Sequence, residues 1–363
     1  MDKADAGRHE VPSLAQPGWT FGDSALAAAR PEAAPQSPWG QQSVEGAIGV
    51  RVQRVLLTGA GGCVGRAVLA SAARMPVPPE IVAVRHSGTR PPTPGVRTLV
   101  AGLEELPALL DQAGPIDACI HAAAAVHGAE ADPARVFATN RDATLALARA
   151  LCGRPGFARF VFVSTVAVLD ESARATPYAA SKREAEDGLA QLAAEAGFEL
   201  SVLRFATVYG PSDRGNIGSL YRAIARRRYV RVAPPDTVKT LLSSRRAAAA
   251  ALAAAAGGAA GKWIVADPEP YPLEVVEDAL ADAADVPRPL RLPRAVGWTL
   301  AACGSAARAL GMPAPFTLAR LRTLARPAAF RPAPPSVLAD AMRDADRRPL
   351  DQAFRDAYVH GLD

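Results

Sequence analysis

A short apolar strand that ends in regularly spaced glycines and runs straight into a helix leaves few choices of local fold. Residues 54–65 read R-V-L-L-T-G-A-G-G-C-V-G and continue into the helix-like R-A-V-L-A-S-A-A-R. Gly59, Gly62 and Gly65 fall three residues apart. Glycines so placed allow a tight turn, close approach of the backbone to a ligand, and seating of the helix on the strand. The helix that starts at Cys63 and Val64 then offers free N–H groups and the positive end of its dipole, which suits a pyrophosphate. Gly59, Gly62, Cys63, Val64 and Gly65 are therefore candidate dinucleotide-binding residues.

The same alternation continues downstream. Apolar runs E-I-V-A-V-R, R-T-L-V, I-D-A-C-I-H, F-V-F-V-S-T and L-S-V-L-R-F are separated by helix-like segments, among them L-E-E-L-P-A-L-L and a long one across Asp132 to Leu151. Strands that are apolar throughout belong to a parallel sheet covered on both faces. The expected class is α/β, a doubly wound parallel sheet or Rossmann fold, occupying residues 51–210. After Tyr209 the pattern loosens into Pro-, Gly- and Arg-rich segments with short helices, and W-I-V-A-D-P-E-P suggests one further strand. Residues 211–363 are expected to form a smaller substrate-binding lobe and C-terminal tail integrated with the main domain. Residues 1–50, rich in Ala, Pro, Gly, Ser and Gln without an apolar period, are expected to be a disordered extension.

Composition narrows the partners. The net charge of +5 is spread along the chain with no basic stripe interleaved with aromatics, so no nucleic-acid partner is expected. Cys63, Cys119, Cys152 and Cys303 are widely spaced without a C-x-x-C, which argues against disulfides and a metal site and fits a cytoplasmic location. The start of the chain lacks an apolar leader. Ala247 to Gly261 and Ala295 to Leu310 are the most membrane-like stretches, yet both fall short of a clean span of about 20 apolar residues. A soluble protein without a membrane partner is expected.

Two further features carry chemistry. In T-P-Y-A-A-S-K, Tyr178 and Lys182 are four residues apart at the start of a helix and share a face. A phenol has an ordinary pKa near 10, and a neighbouring ammonium favours its phenolate, so the pair can move a proton. At the end of the second strand, V-A-V-R-H-S-G-T-R places Arg85 about twenty residues past Gly65, with His86, Ser87 and Arg90 close by and no carboxylate. An acidic residue there would bind the ribose hydroxyl of NAD, whereas an arginine accommodates the 2′-phosphate of NADP. The cofactor is read as NAD or NADP, with Arg85 favouring NADP.

Taken together, T-G-A-G-G-C-V-G, I-H-A-A-A-A-V-H, F-A-T-N-R-D-A-T-L, F-V-F-V-S-T, Y-A-A-S-K and L-R-F-A-T-V-Y-G-P resemble the extended short-chain dehydrogenase/reductase family. The closest resemblance within it is to the NAD-dependent epimerase/dehydratase group that acts on nucleotide sugars, and it runs from about Arg54 to about Val276. It implies that Thr165 joins Tyr178 and Lys182 as a catalytic triad, Thr165 fixing the reacting oxygen and Lys182 also holding the nicotinamide ribose. It implies that His121, Ala122 and Ala123 form a turn along the cofactor, with His121 in a structural role, as for Asn140. Asn216 and Lys239 would reach the diphosphate of the substrate. A homodimer built on the tyrosine helix is a possibility the resemblance also brings.

The chain departs from the group's pattern in four places, the first being that residues 1–50 have no counterpart in it. The connection from Thr165 to Tyr178 is short, Arg245-Arg246 stands where an acidic pair is usual, and Ala101-Gly102 replaces a customary Asp. Three functions remain open: an NAD(P)-dependent epimerase/dehydratase of a nucleotide sugar with tyrosine as acid/base, an NADPH-dependent reductase of a keto-sugar or other small ketone, and a non-catalytic dinucleotide-binding regulator.

Overall fold

Each strand of the main sheet alternates its side chains between two buried faces. In β1 (Arg54–Thr58), Val55 and Leu57 join one apolar cluster and Leu56 the other, as a period of two requires. The chain continues through α1 (Cys63–Ala72), β2 (Glu80–Arg85), β3 (Arg97–Val100), α2 (Leu106–Ala113) and β4 (Ala118–His121). Next come α3 (Pro133–Phe137), α4 (Ala143–Cys152), β5 (Arg159–Thr165), α5 (Pro177–Ala196) and β6 (Glu199–Phe205). The structure, a computed structural model, describes residues 54–86, 95–125 and 132–360, except 172, 174, 175, 214, 233, 235, 313, 315, 316 and 327. The N-terminal extension, Ser87 and Arg90 lie outside the described residues.

Beyond β6 the chain moves between the sheet and a second cluster. It forms β7 (Thr207–Tyr209), α6 (Asn216–Ala225), β8 (Val238–Lys239), β9 (Leu241–Ser243), α7 (Ser244–Ala256) and β10 (Gly261–Val265). It ends with β11 (Tyr271–Pro272), α8 (Leu273–Ala283), α9 (Arg294–Ala309), α10 (Leu318–Ala325), α11 (Ser336–Ala345) and α12 (Leu350–Arg355). The seven-stranded sheet has the order β3-β2-β1-β4-β5-β6-β10, and every neighbouring pair is parallel. This is the doubly wound architecture, with its order reversing between β1 and β4, where such sheets open a crevice at their carboxyl ends.

Helices α2, α4 and α5 cover one face, and α1, α7 and α11 the other. The seventh strand and α7 thus come from beyond residue 211 and return to the main sheet. Leu338 and Met342 of α11 are buried in the same cluster as β1 and α7. A separate core of Tyr209, Ile217, Ile224, Val276, Leu280 and Phe354 unites β7, α6, α8 and α12. The short pairs β7–β9, parallel, and β8–β11, antiparallel, frame that lobe beside the sheet's carboxyl edge.

Candidate active site

The glycine turn lies at the sheet's switch point, held from both sides. Gly59 has φ +69°, and a Cβ there would come within 2.6 Å of Ala123 N and 2.7 Å of Ala122 C. Only glycine permits both that conformation and that approach. Ala60 N–H donates to Val84 O, tying the turn to β2 one residue before half-buried Arg85. A Cβ on Gly65 would lie 2.3 Å from Gly59 O, so this glycine seats α1 against the turn. Gly62 differs: at φ −79° its added Cβ would meet only Gly59 O, at 3.3 Å, and at Gly61 it would meet nothing. Gly62 caps α1 without any side-chain hydrogen bond, so the first N–H groups of the helix are not taken up by a capping side chain and suit a pyrophosphate. These residues fit a dinucleotide.

His121 closes β4 opposite Thr58 in register and is completely buried. Ala123 N–H donates to Thr58 Oγ1 at 3.3 Å, and Thr58 Oγ1 lies 2.9 Å from His121 Nδ1. On the other side His121 Nε2 lies 2.9 Å from Thr144 Oγ1, whose hydroxyl donates to Asn140 O. With the Thr144 proton so engaged, Nε2 carries the ring proton and Nδ1 accepts. Burial and the nearby Lys182 charge push the imidazole down to about 3, so it stays neutral and fixes the turn at Ala122 and Ala123.

The helical run 133–152 is interrupted at Ala138–Asp142 by a π-helical turn, a feature that recurs at functional sites. The turn carries fully buried Asn140, whose Oδ1 accepts from Ala125 N at 2.8 Å. Its Nδ2 donates to Ala125 O and to Ser181 Oγ, both at 3.2 Å. Asn140 therefore joins the loop after β4 to α5, one residue before Lys182.

Helix α5 begins where Thr176 Oγ1 accepts from Ala179 N, with Pro177 at its first position, and ends at Gly197 with φ +75°. These are ordinary start and stop devices. Its inward stripe is unusual: Ser181, Lys182 and Glu186 are all buried. Lys182 Nζ donates to Val163 O at 2.9 Å and lies 4.4 Å from the centre of the Phe162 ring. Burial draws its pKa down to about 7, against the opposing pull of Glu186. Tyr178, one turn earlier, is half-buried, and burial pushes its phenol up to about 12. Thr165 ends β5, its Oγ1 accepting from Ala167 N at 3.2 Å. Strand β5 thus supplies both Thr165 and the carbonyl that holds Lys182.

Sequence reasoning missed the group beneath Lys182. Glu186 is inaccessible to solvent, accepts from Ser164 Oγ at 2.6 Å, and is gripped by Arg204 through Nε and Nη2. The one sequence signal is that Glu186 repeats the four-residue step from Tyr178 to Lys182, which by itself does not tell a buried acid from a solvated one.

Lys239 Nζ donates to Arg326 O at 2.7 Å, and burial together with the Arg326 charge lowers its pKa to about 8. The Arg326 guanidinium pairs at 2.6 Å with Asp170, in the short connection after Thr165. Lys239 is therefore linked through Arg326, which the sequence did not single out, to the connection that follows Thr165. Asn216 is exposed at the first turn of α6, and no described contact joins it to that group. Of the arginines at 226–231, Arg231 stands apart: its side chain is buried against Glu274, Glu277 and Asp278.

Comparisons with known proteins bear on the family and the fold. The model of the NAD dependent epimerase/dehydratase family matches residues 55–251, more than half of the chain. A UDP-glucose 4-epimerase from Vibrio cholerae is 31% identical over 124 residues, covering 30% of this chain and 38% of that protein. The match thus spans well under half the length of that curated relative. The structure of UDP-glucose 4-epimerase from Thermotoga maritima with UDP-glucose superposes with a TM-score of 0.64 at 16% identity, covering 85% of this chain and 98% of that one. The Bordetella bronchiseptica enzyme WbmG in complex with NAD and UDP gives 0.56 at 23% identity, covering 68% and 82%. At these identities the likeness to the solved structures is one of fold.

Proposed function

The chain belongs to the NAD dependent epimerase/dehydratase family, and on that premise we propose that it transforms a nucleotide sugar with Tyr178 as acid/base. The observation that carries this reading is the buried column on α5, in which Lys182 is held by the strand that presents Thr165. An idle binding module has no need to bury a lysine at that position, because an isolated buried ammonium is costly.

The dinucleotide would rest on Gly59, Gly62, Cys63, Val64 and Gly65, along Ala122 and Ala123, with Arg85 toward the adenosine ribose. Bound there, it would supply an acceptor and donor of hydride and a positively charged ring. Burial pushes the Tyr178 phenol up to about 12, so the base that the first step on a sugar hydroxyl requires depends on the charge beside it. Positive charge alongside favours the phenolate, and in that state Tyr178 takes a proton from a substrate hydroxyl. Lys182 supplies part of that charge. Thr165 Oγ1 already accepts from Ala167 N, which leaves its hydroxyl proton to orient the reacting oxygen. Lys239 and Asn216 are assigned to the diphosphate. A nucleotide sugar is supported by the UDP-glucose and UDP named in the two superposed structures.

Arg85 favours a second reading, an NADPH-dependent reductase of a keto-sugar or small ketone. Denaturing the purified protein and identifying any released dinucleotide by mass spectrometry, followed by NMR of a UDP-hexose panel, separates the two. Near-stoichiometric NAD with sugar interconversion and no net redox change is expected. An empty site that binds NADPH more tightly than NADH, with no UDP-hexose converted, would overturn the nucleotide-sugar reading and establish the reductase.

A further inference from the structure

Between Asp285 and Asp340 the sequence contains no aspartate or glutamate, while arginines recur; Arg288 and Arg291 are paired with Glu274, Asp278 and Asp282 of α8, whereas Arg308 and Arg322 follow further along. This acid-free stretch folds as α9 packed on α10. One side of α9 is committed: Ala301 is buried with Val232 and Leu321, and a Cβ on Gly297 would lie 2.9 Å from Val232 Cγ1. The remainder is apolar yet exposed. Val296, Leu300, Cys303 and Leu310 recur at helical spacing, and Leu300 and Leu310 are 49% and 76% exposed. Five of the twelve exposed large apolar side chains among the described residues fall between positions 290 and 312. No charged residue interrupts α9 between Arg294 and Arg308. Arg308 and Arg322 are exposed and form no ion pair among the described residues.

Exposed apolar side chains gathered along one helix point to an interaction site, and the charges that flank them select the partner. A second copy of the chain would bring like-charged arginines face to face, which disfavours self-association. A nucleic acid would answer the arginines but leave the apolar stripe in water. An anionic bilayer surface answers both, taking the stripe into the acyl boundary and the arginines among its headgroups.

We propose that α9 and its flanks dock on anionic phospholipid, with Val296, Leu300 and Leu310 entering the acyl boundary and Arg308 and Arg322 meeting headgroup phosphates. The helix lies on the membrane and does not cross it: its 16 residues extend about 24 Å, and no described helix is long and apolar enough to span a bilayer. The sequence expectation of no membrane partner weighed Ala295 to Leu310 only as a span, and the proposal concerns surface docking instead.

Co-sedimentation of the full chain with sucrose-loaded phosphatidylcholine vesicles, with and without phosphatidylglycerol, tests this. The protein is expected to pellet with the anionic vesicles, and to be released from them by salt. L300D and R308E are surface changes that should leave the melting temperature in place and lower partitioning by about five-fold or more each. Equal behaviour with and without phosphatidylglycerol would overturn the proposal, as would undiminished binding of both variants. A wild-type dimer that L300D dissociates, with no pelleting on vesicles, would assign the face to a second copy instead.

Discussion

Tyr178, Lys182 and Glu186 stand at successive four-residue steps along α5, and their partners set them apart. Lys182 is held by a backbone carbonyl and an aromatic face, whereas Glu186 is neutralised by Arg204 and Ser164. Burial depresses Lys182 from 10.5 to about 7, so between those values the unfolded chain binds the proton more firmly than the folded one. Its contribution to stability is therefore fully present above pH 10.5 and is lost as pH falls toward 7. Urea denaturation from pH 7 to 9 should show the wild type gaining stability relative to Lys182→Met as pH rises, and a difference of the opposite slope would remove Lys182 from that role. The Tyr178–Lys182 pair was legible because spacing alone places it on one face. Glu186 was not, because a glutamate four residues on reads equally well as a solvated partner, and only its burial decides between the two.

At the scale of elements, the glycine turn separates what the fold needs from what a ligand needs. Gly65→Ala would drive a Cβ to 2.3 Å from Gly59 O and should cost about 3 kcal/mol or more, on the scale of severe overpacking, visible in the melting temperature. Gly62→Ala meets only Gly59 O, at 3.3 Å, on an unstrained backbone. It should leave melting nearly unchanged yet weaken dinucleotide binding by about ten-fold or more, if the pyrophosphate approaches there. Equal affinity in Gly62→Ala and wild type, by calorimetry, would move the cofactor elsewhere. The apolar strands and this turn could be read from local patterns because burial on both faces leaves a continuous signature. The π-helical turn at 138–142 could not, since its residues read as ordinary helix and only the double hydrogen bond of Asn140 to Ala125 shows why it is there. The exposed stripe of α9 was hidden for a related reason: apolar spacing shows a face but not whether anything covers it.

Across the whole molecule, long-range pairs that no local pattern encodes fasten the lobe to the sheet. Strand β10 was visible as an apolar run, but its pairing with β6, Trp263 opposite Leu203, belongs to the tertiary structure. Arg246 stands where the family resemblance leads one to expect an acid, and the structure supplies the matching charge from another element. Its guanidinium donates to fully buried Asp267 at 2.8 Å and to Asp346 O at 2.6 Å, joining α7 to the strand-end after β10 and the end of α11. Arg246→Ala strands the Asp267 carboxylate and should cost about 3 kcal/mol, read as a lower urea midpoint; an unchanged midpoint would deny the joint its importance. The proposed function depends on proton transfer at Tyr178, and the most direct test compares Tyr178→Phe with wild type on whichever UDP-hexose the wild type converts. Turnover should fall by about a hundred-fold or more while dinucleotide affinity stays within a few-fold, and turnover retained at the wild-type rate would contradict the mechanism outright.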